Sequence, residues 1–483
     1  MKNFFRKILA CTVVLVMTFS TLVACGEKVS LLEFLDSSED SVSYEGYVLN
    51  LLQLEVGDIA AISLTEGNLF GYPNNTTLCD AAVKRLSDVE NELKCTINLQ
   101  YEDIEQADLI MRYMGNNIDY DAVYSADHDG TLEGADAGIF LALEDYMDYA
   151  DLKNTAKYGE ANVQEIVSFK GSIYGLCPIT WPYKQPRTFG IMVFNMDPIS
   201  QYGKVNPKEF LENGTWTWDA LEEIITTYHV VEGDKEIKAM AARNFDLARL
   251  LVQSNGVELA QFDSNGDILR NYGSDSMLEA LQWYKDVVMT NNSAFSKDMS
   301  SDSMDQTKVA EEICYGNAMC GITATDLVYY KIIYDAKNIS TMPFPSGPRG
   351  EYGKWTGIIE GQECFSVFKN TDEPEIAITI LDMICEPLEG YETEELLLDY
   401  IGESVLYNKE DAEIILNVHD YARYSYWSET LGSTNINTFY RSASSNLNEK
   451  TPAQVVEEFR SQILDYVEEY MVPNMPIYDI INK

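Results

Sequence analysis

Basic side chains are scarce in this sequence, where 34 Lys and Arg stand against 78 Asp and Glu and leave a net charge of −44. A protein that binds nucleic acid needs a basic surface, so the composition excludes that class of partner. Only three histidines occur, and neither Cys-x-x-Cys nor His-x-x-x-His spacing appears, so we expect no metal site. The motifs of serine hydrolases, zinc peptidases and nucleotide-binding loops are also missing, and we expect neither a cofactor nor an enzyme.

A long apolar run is missing after the amino terminus, where Lys2, Arg6 and Lys7 precede the 12 residues Ile8–Phe19. A membrane-spanning helix needs about 20 apolar residues, so this pattern predicts a signal peptide. The sequence Leu22-Val23-Ala24-Cys25 that follows resembles the bacterial lipobox. The resemblance implies cleavage before Cys25 and attachment of acyl chains of the palmitate class to it. Two chains anchor a protein firmly, so we expect it on the extracellular face of the cell membrane, in contact with the bilayer only through lipid.

Cleavage would change both the charge and the cysteine count. Residues 1–24 hold three basic side chains and no acidic ones, so the net charge would go from −44 to −47. We interpret this acidity as a solubility feature. With Cys25 lipidated, an odd number of cysteines remains, which excludes complete pairing. Buried free thiols are our expectation, although the sequence leaves their redox state open. These cysteines are Cys79, Cys95, Cys177, Cys314, Cys320, Cys364 and Cys385.

The segment after Cys25 is acidic and contains several serines, and we expect residues 25–50 to be a tether. Beyond it, the hydrophobic periodicity alternates between the patterns of strands and helices, which predicts a parallel α/β sheet. In such sheets ligands bind beyond the carboxyl ends of strands, here Gly67–Asn75 and Ser125–Gly130. The predicted strands are Ile59–Leu64, Thr96–Tyr101 and Tyr120–Tyr124, and the predicted helices are Thr76–Leu93 and one that ends at Met114.

Farther along, Trp216 and Trp218 lie beside the predicted start of a helix, for which Thr217 is the expected N-cap. We expect both tryptophans to pack in a core.

Short motifs spread over about 350 residues resemble those of the extracellular solute-binding proteins of the maltose-binding type. Their order along the chain carries the resemblance, since each motif alone is weak. The matching segments are Tyr120–Tyr124, Ala137–Asp145, Gly171–Pro178, Phe194–Asp197, Thr217–Leu221, Gly316–Met319, Met342–Pro348 and Phe365–Ala377.

The resemblance implies an α/β, two-lobed periplasmic-binding-protein-like fold with a hinge and a ligand cleft between the lobes. Crossings between lobes are expected near Arg187–Phe189, Ile359–Gln362 and Ile414. The implied division is residues 1–24 as signal peptide, 25–50 as lipidated tether, 51–187 plus 362–413 as lobe 1, and 188–361 plus 414–483 as lobe 2.

By the same resemblance, the ligand is a small solute, and a carbohydrate is the expected one. Aromatic rings stack on sugar faces, whereas amides and carboxylates bind the hydroxyls. For Asp326, an N-cap role in a helix is as good an interpretation as ligand binding. For Trp181, core packing is also open, although its polar, proline-rich loop argues against burial. The expected ligand-binding residues are Asn68, Tyr72, Asp127, Trp181, Tyr183, Thr325, Asp326 and Trp355.

These expectations describe a monomeric lipoprotein that delivers its ligand to the permease subunits of an ABC importer. Two other functions stay open. The first is a lipoprotein that presents its ligand to a membrane sensor, and the second is a surface hydrolase that acts on carbohydrates with paired carboxylates. With 78 acidic residues, suitable pairs would occur anywhere, so they do not argue for the hydrolase.

Overall fold

The computed structural model describes residues 43–54, 68–69, 72, 75–125, 128–159, 161–182, 186–257, 260–262, 268–301, 304–325, 338–424 and 434–468. Two sheets organise this part of the chain. We call the four-stranded sheet with its helices lobe 1, and the seven-stranded sheet with its helices lobe 2. No helix in the described ranges has the length and apolar character needed to cross a membrane.

Lobe 1 is built first along the chain from alternating strands and helices. Strand β1 pairs in parallel with both β2 and β3, which is the geometry that the alternating pattern predicted. The strands here are β1 Val48–Leu54, β2 Thr96–Glu102, β3 Ala122–Ser125 and the short hairpin β4 Ser168–Phe169 and β5 Ser172–Ile173. The helices are α1 Thr77–Leu93, α2 Gln106–Met114, α3 His128–Asp136, α4 Thr155–Tyr158 and α5 Ala161–Gln164.

Lobe 2 follows as one long insertion. Its strands are β6 Arg187–Asn195, β7 Val230–Glu232, β8 Lys235–Ala241, β11 Ala318–Ala324, β12 Ile339–Pro343 and β13 Gly357–Gly361, with the separate hairpin β9 Ala260–Phe262 and β10 Ile268–Arg270. Strand β6 lies at the centre, because β11, β12 and β13 all pair with it antiparallel. The helices are α6 Met196–Gln201, α7 Pro207–Glu212, α8 Trp218–Thr227, α9 Asn244–Ser254, α10 Asp275–Trp283 and α11 Gln306–Cys314.

The chain then returns to lobe 1 before it ends in lobe 2. Strand β14 Cys364–Val367 adds antiparallel to β3, and helix α12 Pro374–Ile384 packs with α1 over the same face of the sheet. The next three elements are α13 Glu394–Tyr400, α14 Lys409–Tyr421 and β15 Ala422–Tyr424, and they pack on lobe 2. The last two helices are α15 Thr434–Asn446 and α16 Pro452–Tyr466.

The central strands β6 and β11 are buried on both faces of their sheet, which explains why they are apolar runs. In lobe 1, Leu51 faces α1 and α12, whereas Leu52 and Val123 face α2. In lobe 2, Trp216 and Trp218 are both buried, which confirms the expected core packing of these rings. Their indole N–H groups donate to the carbonyl of Pro343 at 2.7 Å and to the hydroxyl of Ser254 at 3.0 Å.

Two boundary expectations need correction. Strand β1 starts at Val48, so the folded chain begins inside the segment that we expected to be tether. The strand expected at Ile59–Leu64 lies outside the described residues. The third crossing, expected near Ile414, falls inside the continuous helix α14. The chain has already returned to lobe 2 by Leu397, because the side chain of Leu397 packs in one apolar cluster with residues of the lobe 2 sheet.

The expected burial of the cysteines is confirmed for those in the described part of the chain. All seven named above are buried, and none of them forms a disulfide in this structure.

Candidate interlobe site

The carboxyl ends of the parallel strands define one edge of each sheet. In lobe 1, β3 ends at Ser125, and the antiparallel β14 begins beside it at Cys364. In lobe 2, β8 and β11 run parallel and end at Ala241 and Ala324, while the antiparallel β6 begins at Arg187.

Two short crossings join these edges and keep them close. One crossing leaves lobe 1 after Leu176, which pairs with Phe365, and enters lobe 2 at Arg187, which pairs with Gly361. The other runs back from Gly361 to Cys364. The crossings also contact each other, since Gln362 Nε2 lies 3.5 Å from the carbonyl oxygen of Pro178. The carboxyl ends of both sheets therefore meet at a common cleft, where ligands bind in α/β folds.

Lobe 1 presents three neutral polar side chains at this edge. Gln53 and Ser125 are buried near the ends of β1 and β3, and Gln106 opens helix α2. The Nε2 of Gln53, the Oγ of Ser125 and both amide atoms of Gln106 have no hydrogen-bond partner among the residues that the structure describes. A buried polar group without a hydrogen-bond partner costs about 1 to 3 kcal/mol of folding stability. A ligand that supplies the missing hydrogen bond removes this cost, which favours its binding.

Gly130, in the first turn of helix α3, lets the backbone come close to this group. A Cβ atom at that position would lie only 2.9 Å from Gln106 Oε1 and 3.5 Å from Ser125 Oγ. A larger residue would push the Gln106 side chain aside, so the glycine lets the amino end of α3 lie beside these polar atoms. Backbone N–H groups at a helix amino end are further hydrogen-bond donors.

Lobe 2 contributes a matching set from the ends of β8 and β11. Asn244 and Thr323 are buried, and the Nδ2 of Asn244 and the Oγ1 of Thr323 have no hydrogen-bond partner in the described part of the chain. Beside them, Arg243 forms a salt bridge with the buried Asp246. The guanidinium of Arg243 lies 4.7 Å from the ring centre of Phe245. The guanidinium of Arg441 covers the same ring at 4.1 Å. This edge therefore combines amide and hydroxyl groups with fixed cations.

One tyrosine links the crossing to the lobe 1 edge. The hydroxyl of Tyr124, on β3, donates to the carboxylate of Glu363 in the returning crossing. Complete burial, together with this negative neighbour, raises the pKa of Tyr124 well above 10. Tyr124 therefore stays a neutral donor at physiological pH and fixes the position of Glu363.

Three of the expected ligand-binding residues come together, but inside lobe 1. The ring of Tyr72 stacks on that of Trp181 at 6.4 Å, and its hydroxyl donates to the carbonyl of Pro182 at 2.6 Å. Asn68 holds the backbone of Tyr72 through both atoms of its amide. The indole N–H of Trp181 donates to the carbonyl of Glu386 at 3.0 Å.

Burial of Trp181 corrects our expectation that its polar loop would keep the ring out of a core. The side chain is 0% exposed and packs among the apolar residues of lobe 1. Tyr72 is 1% exposed and belongs to the same core. In this structure both rings support the lobe and neither offers a surface to a ligand.

The other expected residues have separate outcomes. Thr325 is buried at the end of β11, where its hydroxyl accepts from the N–H of Thr188 at 3.1 Å and so joins β11 to the crossing. Trp355 is partly exposed and contacts Tyr352, but it precedes the amino end of β13. The cleft lies at the carboxyl end of that strand, roughly 13 Å farther along, so Trp355 is not brought to it. Asp127, Tyr183 and Asp326 lie outside the described residues, and their roles stay predictions.

Sequence reasoning missed the polar residues that do lie at the cleft. Arg243 and Asn244 follow β8, a strand that the sequence analysis did not predict. The rule that ligands bind beyond strand ends would have indicated them once β8 was recognised. Gln53 and Gln106 gave no signal, because a polar residue in a strand or at a helix start is ordinarily exposed to solvent.

No protein-family model and no curated protein matches the chain. Several solved structures, in contrast, are similar to the chain. The chain is similar to an ABC substrate-binding protein from Listeria monocytogenes in complex with cycloalternan, at 12% identity and a TM-score of 0.59 over 87% of this chain and 99% of the other. It is also similar to a sugar transporter from Rhizobium etli in an open conformation, at 14% identity and a TM-score of 0.62, over 86% and 99% of the two chains.

A third similar structure is the cyclic alpha-maltosyl-1,6-maltose binding protein from Arthrobacter globiformis. The identity is 13% and the TM-score 0.61, over 87% of this chain and 99% of that one. The chain has the fold of a solute-binding protein. This confirms the two-lobed α/β fold with a hinge and cleft that the sequence motifs implied, and the near-complete coverage extends the likeness across both lobes.

No group of three or more metal-binding side chains is found among the residues that the structure describes.

Proposed function

We propose that this protein is an extracellular solute-binding lipoprotein that captures a carbohydrate between its lobes and delivers it to an ABC importer. The observation that carries the proposal is the set of buried, unpartnered amide and hydroxyl groups at the cleft edge of both lobes. Sugars present hydroxyl groups that both donate and accept, so they satisfy neutral side chains of this kind without a charge cost. The solute-binding-protein fold supports the same function.

Amides and hydroxyls are binding groups, and this supports binding over catalysis. A retaining or inverting hydrolase needs two carboxylates about 5 to 10 Å apart beside its substrate. At the described cleft edges, the carboxylates of Asp246 and Glu363 are engaged, the first by Arg243 and the second by the hydroxyl of Tyr124. Presentation of the ligand to a membrane sensor uses the same binding chemistry and remains the alternative role.

The test of ligand class is a calorimetric screen of neutral mono- and oligosaccharides, with Ser125→Ala as the diagnostic variant. Its hydroxyl has no hydrogen-bond partner among the described residues, so the free energy of unfolding without ligand should not fall. Loss of one hydrogen bond to the sugar, about 0.5 to 1.5 kcal/mol, should weaken binding roughly 2- to 12-fold.

Ser87→Ala is the matched control, because Ser87 is exposed on helix α1 of the same lobe. It should bind with the affinity of the wild type. Equal affinities for wild type, Ser125→Ala and Ser87→Ala would remove Ser125 from the site. If no sugar bound and an amino acid or polyamine did, the carbohydrate assignment itself would fail.

We also propose that Cys25 carries the lipid anchor, on the basis of the short apolar run and the tetrapeptide that ends at Cys25. Cys25→Ala should abolish incorporation of labelled palmitate and either release the protein into the medium or leave it unprocessed. Cys95→Ser, which changes a buried cysteine of the folded part, is the control and should remain labelled. A labelled, membrane-bound Cys25→Ala product would refute the assignment.

A further inference from the structure

Two of the buried thiols occupy neighbouring positions on chain segments that pair with each other. Leu176 and Phe365 form a reciprocal antiparallel bridge, with N–H to carbonyl distances of 2.9 and 3.0 Å. Cys177 and Cys364 are the next residues outward from this bridge. In antiparallel pairing, such flanking residues project to the same side, at Cα separations within the range that disulfides span.

The two thiols also interact directly. Burial raises the pKa of Cys177 well above 9, and the adjacent Cys364 raises it further. On its other side, the sulfur of Cys364 is 2.9 Å from the hydroxyl of Thr131, which holds it in place. Both cysteines are almost fully buried, at 3% and 0% exposed.

Their position in the fold gives this pair a consequence that the other thiols lack. Cys177 lies at the start of the crossing that leaves lobe 1, and Cys364 begins β14, where the returning crossing re-enters it. The chain between them contains β6 to β13, which is most of the lobe 2 sheet. A bond between the two sulfurs would therefore close a covalent loop that contains this insertion.

We propose that Cys177 and Cys364 form a reversible disulfide that links the lobe 1 ends of the two crossings. The oxidant is a small-molecule disulfide of the glutathione type. One cysteine thiolate attacks it to give a mixed disulfide and releases one small thiolate, and the second cysteine then attacks the protein-side sulfur and releases another. The protons of the two cysteines pass to the released thiolates, so the protein loses two electrons while the small disulfide is reduced to two thiols.

The thiolate is the nucleophile, so burial of the two thiols makes this reaction slow in the native protein. The reaction becomes faster when the pH rises or while the chain is still folding, because more thiolate is then accessible. This step rests on the proposed extracellular location, where small disulfides persist and where the pair is accessible while the chain folds. The bond lies on the lobe 1 side of both crossings and leaves the hinge itself unlinked.

The experiment is to unfold the reduced mature chain and refold it in a buffer of reduced and oxidised glutathione, in parallel with fully reducing buffer. Peptide mapping after thiol alkylation should show a peptide in which Cys177 is linked to Cys364. The intact oxidised chain should weigh two hydrogen atoms less than the reduced chain. Because a long closed loop constrains the unfolded chain most, the oxidised protein should melt about 3 °C or more above the reduced protein. Dithiothreitol should reverse both changes.

Cys177→Ser and Cys364→Ser should each abolish the linked peptide and the rise in melting temperature, whereas the matched change Cys95→Ser should preserve both. If either serine variant fails to fold, the wild-type peptide map and the other variant still decide the question. Absence of the linked peptide in the refolded wild type would overturn the proposal. So would linkage of Cys177 to Cys385, or an equal rise in melting temperature with Cys177→Ser.

Discussion

Tyr158 illustrates how a single buried polar group ties distant segments of lobe 1 together. Its hydroxyl donates to Asp382 at 2.6 Å, and the same carboxylate accepts from the buried Lys157 at 2.7 Å. Lys157 also reaches Glu386 at 2.8 Å. These bonds join helix α4 to the carboxyl end of α12. Burial is the main reason that the pKa of Tyr158 lies well above 10 in the folded protein.

Tyr158→Phe should change the pH dependence of stability. At neutral pH the variant loses a hydrogen bond to a carboxylate, about 1.5 to 3 kcal/mol. Above pH 10 tyrosine ionises in the unfolded chain but stays protonated when folded, so the native state binds more protons and its stability falls as pH rises. The difference between wild type and variant should therefore shrink by about 1.4 kcal/mol per pH unit.

Urea unfolding at pH 7, 10 and 11 measures this difference. Tyr407→Phe is the control, since Tyr407 is 69% exposed and should leave the free energy of unfolding at neutral pH near that of the wild type. A wild-type advantage over Tyr158→Phe that stays constant up to pH 11 would show that Tyr158 does not carry the effect.

At the residue scale, sequence predicted burial better than it predicted contact with ligand. Trp216 and Trp218 follow ordinary apolar logic and are buried. Trp181 is also buried, because the carbonyl of Glu386 and the ring of Tyr72, both far away in sequence, complete its environment. A polar local sequence cannot reveal partners at such distances. For the same reason, Gln53 and Gln106 could not be recognised as unpaired before the fold was known.

At the scale of elements, two threonines provide a matched test of helix capping. Both lie at an N-cap in extended conformation and are partly buried. The hydroxyl of Thr76 accepts from the N–H of Cys79 at 3.2 Å and caps α1. Thr217 occupies the predicted position before α8, but its side chain accepts no bond from the helix.

Thr76→Ala should therefore lower the free energy of unfolding by about 1 kcal/mol, the usual value for the loss of a cap. Thr217→Ala should lower it by less than about 0.5 kcal/mol, because no capping bond is lost. Guanidinium unfolding of both variants gives the comparison. Equal losses would mean that position alone, and not the observed hydrogen bond, determines the cap energy.

Elements with strong periodicity were predicted closely. Helix α1 begins and ends within one residue of its prediction, because its buried residues recur at helical spacing. Strand β1 was missed, since its residues Leu49, Leu51 and Leu52 face two cores and show no alternation. Strand β8 was also overlooked, and with it the cleft residues Arg243 and Asn244. The candidate site was thus limited by the strands that could be recognised.

At the scale of the whole molecule, the two-lobed fold was predictable from the order of weak motifs, whereas the lobe boundary was not. Helix α14 buries Ala412, Ile415 and Val418 against the lobe 2 sheet, so no crossing can pass through it. The amphipathic pattern of a helix is the same whichever sheet it covers. Sequence periodicity therefore shows that a helix packs on something, but not on which lobe.

Ligand binding should close the two lobes on each other. Unpartnered polar groups lie on both sides of the cleft, so a ligand that satisfies both sets must bridge Ser125 in lobe 1 and Asn244 in lobe 2. Such a ligand binds the closed arrangement more tightly than the open one and shifts the population towards it. The radius of gyration from small-angle X-ray scattering should therefore fall when the confirmed sugar is added.

Because the sugar binds the folded chain and not the unfolded one, it should also stabilise the fold by about 2.7 kcal/mol at a concentration 100 times its Kd. A sugar from the screen that does not bind is the control and should change neither the scattering curve nor the stability. Binding of the confirmed sugar with an unchanged radius of gyration would contradict a bridging ligand, because contacts with only one lobe give no reason for the hinge to close. Ser125→Ala and Asn244→Ala would then separate the lobes' contributions, since only the variant in the binding lobe should lose affinity.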